Sequence, residues 1–429
     1  MATAVVREVP ELDAAAVAEW RAGRRPLVEL MARAQRELGG VAGFRLGEGP
    51  PTVVVTDPAA VQHVLALHPE TYAKRSHRAR MLVGDGVLSA SGEAWRNQRR
   101  LLQAQFTGPG MRRYQHRLEA AARATAERWA GHARTGEPVD VGEEMRLFAL
   151  DTVWRALTGH PVDAATAEQL GGVAAVVEAL PSLPADAVEP PPAVAADLAR
   201  IDEVAHRAIA AARTGEAGPD GPGLLHLLVE AGEERPEYTD ALIRDELVTL
   251  LMAGHETTAS TLTWLYLLLD GAPEARAWAL AAGPDGSAGR RTAIDALASE
   301  ALRLYPSAWM LPRRAIVDDV LLSHRIEAGS DVLSCPYLTH RDPGLWAEPG
   351  RFDPRRFTEP GGRPAQQGAY LPFGIGARAC LGIRFAQREM LALLELLLPA
   401  RTVAFHGPAP AAAFGLTVRP AGPTPATVG

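Results

Sequence analysis

The sequence predicts a mainly α-helical chain with small β-sheets, on three observations. Stretches 111–134 and 143–157 repeat apolar residues at helical spacing. A longer helical pattern runs from near Tyr238 to about Leu269, where Asp270-Gly271-Ala272-Pro273 stops it. The β-type runs, by contrast, are short. The clearest, 41–46 and 52–56, flank a turn at 47–51 and read as a hairpin. Asp57-Pro58 then supplies the cap and first turn of a helix to about Leu67.

A length of 429 residues fits one large domain or two to three small ones, and 47% hydrophobic residues suffice for a large core. A net charge of −7 argues against a nucleic-acid partner. Cys335 and Cys380 are the only cysteines, too few for a disulfide scaffold or a zinc site of several thiolates. That usage points to a reducing, cytoplasmic compartment. Arg7, Glu8 and Pro10 leave no apolar signal core in the first ten residues. No uncharged apolar run approaches the ~18 residues of a bilayer span, so no membrane partner is expected. Segments 181–192 and 214–223 interrupt helices by composition and read as flexible lids within a domain.

At 1.5 Å per residue the pattern ending near Leu269 makes ~45 Å of helix. In its middle, Ala253-Gly254-His255-Glu256-Thr257-Thr258 separates apolar 247–252 from apolar 262–269. A helical glycine costs ~1 kcal/mol relative to alanine, and glutamate and threonine are costly to bury. Either something approaches the backbone there or the break is a polar surface turn. The helix alone leaves both open.

The segment from Tyr370 to Gly382 carries more chemistry. A loop rich in proline and glycine delivers Cys380 to the start of a helix expected from about Leu381 to Leu398. Unpaired N–H groups and the positive end of the helix dipole favour a thiolate there, the form that ligates a metal. Gly376 and Gly382 let backbone approach a bulky flat object, and Arg378 offers a donor fork for a carboxylate. Cys335, in a strand-like run, reads as a small buried hydrophobe.

Phe373, Gly376, Arg378, Cys380 and Gly382 match Phe-x-x-Gly-x-Arg-x-Cys-x-Gly without a mismatch, and the chain therefore resembles the cytochrome P450 family. Further matches occur in the family's order: the Trp-x-x-x-Arg helix at Trp95 and Arg99, the oxygen-activation motif at Ala253–Thr257, Glu-x-x-Arg at Glu300 and Arg303, and Pro-x-Arg-Phe at 354–357. The resemblance implies a P450 fold over the single domain 1–429. A long central helix lies over a haem, and the cysteine-ligand loop precedes a penultimate-region helix.

The resemblance also implies a haem-thiolate monooxygenase, with haem b (iron protoporphyrin IX) as cofactor and O2 as co-substrate. Cys380 is the expected iron ligand. Trp95, Arg99, Arg313 and Arg378 are expected at the haem propionates, Arg313 being preferred to Arg314 by its ten-residue offset from Arg303. Phe373, Gly376 and Gly382 line the proximal side, while Ala253 and Gly254 form an open distal face. Glu256 and Thr257 are the expected catalytic acid–alcohol pair, the alternative for Thr257 being a back-bond to the helix carbonyl four residues earlier, and His255 is placed off the haem face. Glu300, Arg303 and Arg356 form a structural ionic network holding the cysteine loop.

The expected pocket comprises Met81, Leu82, Val87, Leu88, Leu250, Ala253, Thr257, Ala308, Trp309, Met310 and Phe414. Its apolar character implies a lipophilic or aromatic small molecule from specialised metabolism, oxidised by hydroxylation or by C–N or C–C bond formation. Alternatives are a peroxide-driven member of the family and an inert haem- or partner-binding module. No Gly-x-Gly-x-x-Gly follows a strand, so a ferredoxin and its reductase are the expected electron donors to a monomer. Arg96, Arg100, Arg112, Arg113, Arg384 and Arg388 offer a basic docking face or a merely solvated surface.

Overall fold

The computed structural model describes residues 6–75, 79–180 and 190–429. The chain divides into two compact units, Met1–Arg75 with Ser299–Cys380, and Ser76–Ala298 with Leu381–Gly429.

The first unit is built on a five-stranded sheet. Val41–Phe44 pairs antiparallel with Thr52–Val55, the hairpin expected from sequence, and Thr52–Val55 runs parallel to Asp331–Ser334. Leu311–Ala315 follows antiparallel and Tyr72–Lys74 closes the edge. Every residue of Thr52–Val55 is buried, which suits an interior strand covered on both faces. Asp57 caps Pro58–Gln62 through the N–H groups of Ala59 and Ala60. The expected α-helix does not continue to Leu67, because His63–Leu67 widens into a π-helix.

The second unit is helical. Asp240–Asp270 is its longest element, 31 residues or about 46 Å, and packs along Val141–Thr158. Thr239 is its cap, accepting the Leu242 N–H at 3.3 Å. The stretch 111–134 is two helices rather than one, Gly108–Arg112 and Gln115–Thr135. They break where Tyr114 turns inward, its N–H bonding Met111 O and its buried ring meeting Phe106 and Phe385. The helix after the cysteine loop is Ile383–Ala400, the last among the described residues rather than the penultimate one. Among those residues no helix is long and apolar enough to cross a membrane.

Segment 214–223 is no lid. Arg117, 2% exposed, donates to the carbonyls of Asp220, Gly221 and Pro222, and also to those of Arg155 and Ala156. Arg155 adds a 3.0 Å ion pair to Asp220. A glycine- and proline-rich composition marked the segment as irregular, but a buried guanidinium holds it. Of the other expected lid, 181–189 lies outside the described residues, and Pro192 already begins the helix Pro192–Arg213.

Candidate active site

In the first unit the functional residues are organised around one carboxylate. Glu300 and Arg303 lie three apart on the last turn of Ala288–Leu304, and neither has exposed surface. Arg303 Nε and Nη2 donate to Glu300 Oε2 and Oε1 at 2.7 and 2.8 Å. Its remaining donor capacity serves the carbonyls of His340, Pro349 and Arg351 at 2.7–3.0 Å. Arg356 Nε and the Asp353 N–H donate to Glu300 Oε1 at 3.2 and 2.9 Å. Trp346 lies against the Arg303 guanidinium, 5.2 Å from its ring centre. Such a buried ionic group is stable only when every partner is present.

His340, which no spacing in the sequence singles out, joins this network to the cysteine loop. Its Nε2 accepts the Leu371 N–H at 2.9 Å, so the neutral ring carries its proton on Nδ1 and donates it to Arg303 O at 3.1 Å. Burial pulls its pKa down to about 3. Tyr370 donates to Ser299 O at 2.9 Å, and its ring packs against those of His340 and Phe357. The loop therefore starts from a fixed point.

Beyond it, the N–H groups of Gly374, Ala379 and Cys380 bond Leu371 O, Gly376 O and Phe373 O at 2.8–3.0 Å. Gly376 has φ +75°, and a Cβ there would fall 2.3 Å from the Leu65 carbonyl oxygen. Its bare backbone therefore makes room for the π-helix on that side. Gly382, with nothing within 4 Å of the Cβ position, retains open space. Cys380 is exposed, two residues ahead of Gly382, the cap of Ile383–Ala400. Cys335 follows the strand Asp331–Ser334, and burial pushes its thiol up to about 12, which makes it inert.

Arg313 and Arg314 divide clearly. Arg314 is exposed and pairs with Asp331 at 3.2 Å. Arg313 is 7% exposed, and its guanidinium donates to Pro312 O at 2.9 Å. No carboxylate among the described residues pairs with it, and burial pulls its pKa down to about 10. A buried guanidinium without an anion suits an anionic group such as a propionate. Arg378 and Phe373 are half-buried, as are Ala308 and Met310, while Trp309 is 5% exposed.

In the second unit the mid-helix residues 253–258 lie inside a continuous helix. Ala253 is exposed and Thr257, four residues on, is half-buried, so one face stays open. Gly254 is half-buried, and a Cβ there would meet Val153 at 3.1 Å, so the glycine lets the two helices pack closely. His255 and Glu256 turn inward, 3% and 6% exposed, with Nδ1 and Oε1 3.8 Å apart. Burial, with Arg146 adding to it, pulls His255 down to about 4, so its ring is neutral. Burial raises the Glu256 carboxyl, and Arg146 and Arg419 oppose that rise. The Thr257 hydroxyl donates to Ala253 O at 2.7 Å.

Behind Thr257 stands a carboxyl that sequence reasoning missed. Glu389, 1% exposed, accepts the Thr258 hydroxyl at Oε1 at 2.6 Å, and as the neutral acid it donates from Oε2 to the Thr152 hydroxyl at 2.5 Å, whose own proton goes to Ala149 O. Burial pushes its pKa from 4.5 up to about 8. The neutral acid is thus the folded form, and the stability it contributes is complete below about 4.5 and lost as pH rises through about 8. Glu389→Gln, neutral at every pH, should flatten that loss. Thermal melts across this window should show wild-type stability falling on the order of 1 kcal/mol per pH unit more steeply than the variant's. Parallel curves would contradict the assignment.

Trp95 and Arg99 are half-buried on one face of Gly92–Gln103. Met81, Val87, Leu88 and Leu250 are partly buried against the core, and Phe414 is partly buried in the strand Ala412–Phe414. Leu82 has no exposed surface, so it belongs to the core rather than to a pocket wall.

Comparison with known proteins agrees with this architecture. The Cytochrome P450 family model matches residues 17–278 and 289–409. Cyclooctatin synthase of Streptomyces melanosporofaciens is 33% identical over 375 residues, covering 82% of this chain and 80% of that protein. Cyclooctat-9-en-7-ol 5-monooxygenase of the same organism is 29% identical over 408 residues, covering 89% and 84%. The crystal structure of CYP175A1 from Thermus thermophilus superposes with a TM-score of 0.79 at 28% identity, covering 98% of this chain and all of that one. The chain belongs to the cytochrome P450 family and is a P450 monooxygenase, a membership that implies haem and molecular oxygen.

Proposed function

We propose that the chain acts as a single P450 domain over 1–429, in which Cys380 ligates the iron of haem b and a lipophilic small molecule is oxidised. The observation that carries this reading is the exposed Cys380 at the end of a loop fixed by three backbone bonds and by the Glu300–Arg303–His340 network. Arg313, buried without an anion, fits a propionate, as do Arg378, Trp95 and Arg99 by their family positions. Haem, when bound, supplies oxygen activation, and thiolate donation favours O–O cleavage. The substrate is a specialised-metabolite intermediate of terpenoid type, hydroxylated or closed by a new bond. The two Streptomyces relatives and the apolar side chains of Val87, Leu88, Leu250 and Met310 support that class. Electrons come from a ferredoxin and its reductase, which meet a monomer in the cytoplasm at exposed Arg96, Arg100, Arg112, Arg384 and Arg388.

Proton delivery belongs to Glu256 and Thr257. The Thr257 hydroxyl, which donates to the Ala253 carbonyl, lies on the open face of the helix. Glu256, its carboxyl held above its usual range by burial, can carry a proton. Thr257→Ala should still bind haem and substrate and still consume reductant, but release much of the oxygen as hydrogen peroxide instead of product. Glu256→Gln should slow turnover. Product and peroxide measured per reductant consumed decide it, and wild-type coupling in Thr257→Ala would refute the relay.

A further inference from the structure

The feature least explained by the signature motifs lies where the long helix meets residues 82–89. Asp245 accepts the Asp85 N–H at 2.8 Å, and Glu246 Oε2 accepts the Val87 N–H at 3.0 Å. Gln98 Nε2 donates to Asp85 O at 3.0 Å. A Cβ on Gly86 would fall 2.2 Å from Thr249 Oγ1. Glu246, Gln98 and Thr249 are therefore gathered around two successive peptide units, 85–86 and 86–87. They are 0%, 4% and 2% exposed.

Each nevertheless has one sealed oxygen with no hydrogen bond among the described residues: Glu246 Oε1, Gln98 Oε1 and Thr249 Oγ1. Native interiors leave few such atoms, and an unpaired carboxylate oxygen is the costliest kind. The nearby cation does not serve them. Arg244 is committed to Asp202, to Asp245 and to the Leu82 carbonyl. What these oxygens lack is a hydrogen-bond donor.

We propose that this cluster, centred on Glu246 Oε1, is a binding subsite for a hydroxyl group on an otherwise apolar substrate, and that Glu246 thereby determines specificity. The inference rests on the monooxygenase reading above and deepens it. Val87, whose N–H Glu246 holds, and Leu250, one turn further along the helix, are candidate pocket residues. No group of three metal-ligating side chains occurs among the described residues, which argues against a metal ion as occupant. A hydroxyl is favoured over an ammonium because burial holds the Glu246 carboxyl at about 7, poised between its two forms. A hydroxyl can bond either form, whereas a cation requires the anion.

Geranylgeraniol and its O-methyl ether are the probes, since the ether keeps the chain and the oxygen but loses the donor. Affinities for the haem-loaded protein are read both from thermal shift and from the Soret band. The wild type should prefer the alcohol by roughly tenfold or more. Glu246→Gln keeps an acceptor for the Val87 N–H and puts an NH2 donor where Oε1 stands, so the preference should vanish or reverse toward the ether. Thr249→Val, nearly isosteric, should weaken alcohol binding a few-fold and leave ether binding unchanged. A wild type without preference for the alcohol overturns the proposal, as does a Glu246→Gln ratio equal to the wild type's, which would leave the cluster to a buried water. The carbon monoxide spectrum of the same sample tests the haem-thiolate reading separately, and its failure would leave the thermal-shift ratio readable.

Discussion

Glu300→Ala is expected to yield a chain that melts far below the wild type and retains little haem. Its carboxylate is the shared acceptor of Arg303, Arg356 and the Asp353 N–H, all buried or nearly so. Deleting it leaves two guanidinium groups inside the unit with no anion. Breaking a buried ionic network in this way costs ~3–5 kcal/mol. Whole-domain stability is ~5–15 kcal/mol, so one substitution removes a large share of it. The exposed pair Arg325–Asp318, 3.1 Å apart, supplies the control, because deleting an exposed pair costs ~0–1 kcal/mol. Glu300 and Arg303 have no exposed surface, so their effect on haem retention must act through the loop that His340 and Tyr370 anchor. Urea melts and haem-to-protein ratios of Glu300→Ala and Arg325→Ala should therefore diverge sharply. Equal melts and full haem in both would show that the network is dispensable.

Local chemistry made much of this legible in the sequence. Asp57 stands where its side chain caps a helix, and Asp270-Gly271-Ala272-Pro273 ends the long one where expected. The hairpin of Val41–Phe44 with Thr52–Val55 follows from its turn. What escaped depends on partners far away in the chain. The pairing of Thr52–Val55 with Asp331–Ser334 has no local signal. Nor has the burial of Glu389 between two threonines, or of His340 between Arg303 and Leu371. Gly254 and Gly376 carry the residue type for close approach, and on the Cβ side the approaching groups, Val153 and Leu65 of this chain, had no local signal. Arg117 looks like any other surface arginine until the carbonyls of 220–222 close around it.

We propose Cys380, delivered by a fixed loop, as the thiolate that gives the protein its chemistry. Cys335 is its natural control, since that thiol is buried, bonded to Trp309 O at 3.4 Å and held protonated by burial. The decisive measurement is the absorption spectrum of the reduced, carbon monoxide-treated protein for the wild type, Cys380→Ser and Cys335→Ser. The wild type and Cys335→Ser should absorb near about 450 nm, the thiolate signature recorded in the family's name, and Cys380→Ser should lack that band because a neutral hydroxyl replaces the thiolate poorly. A band that survives in Cys380→Ser and disappears in Cys335→Ser would contradict the account.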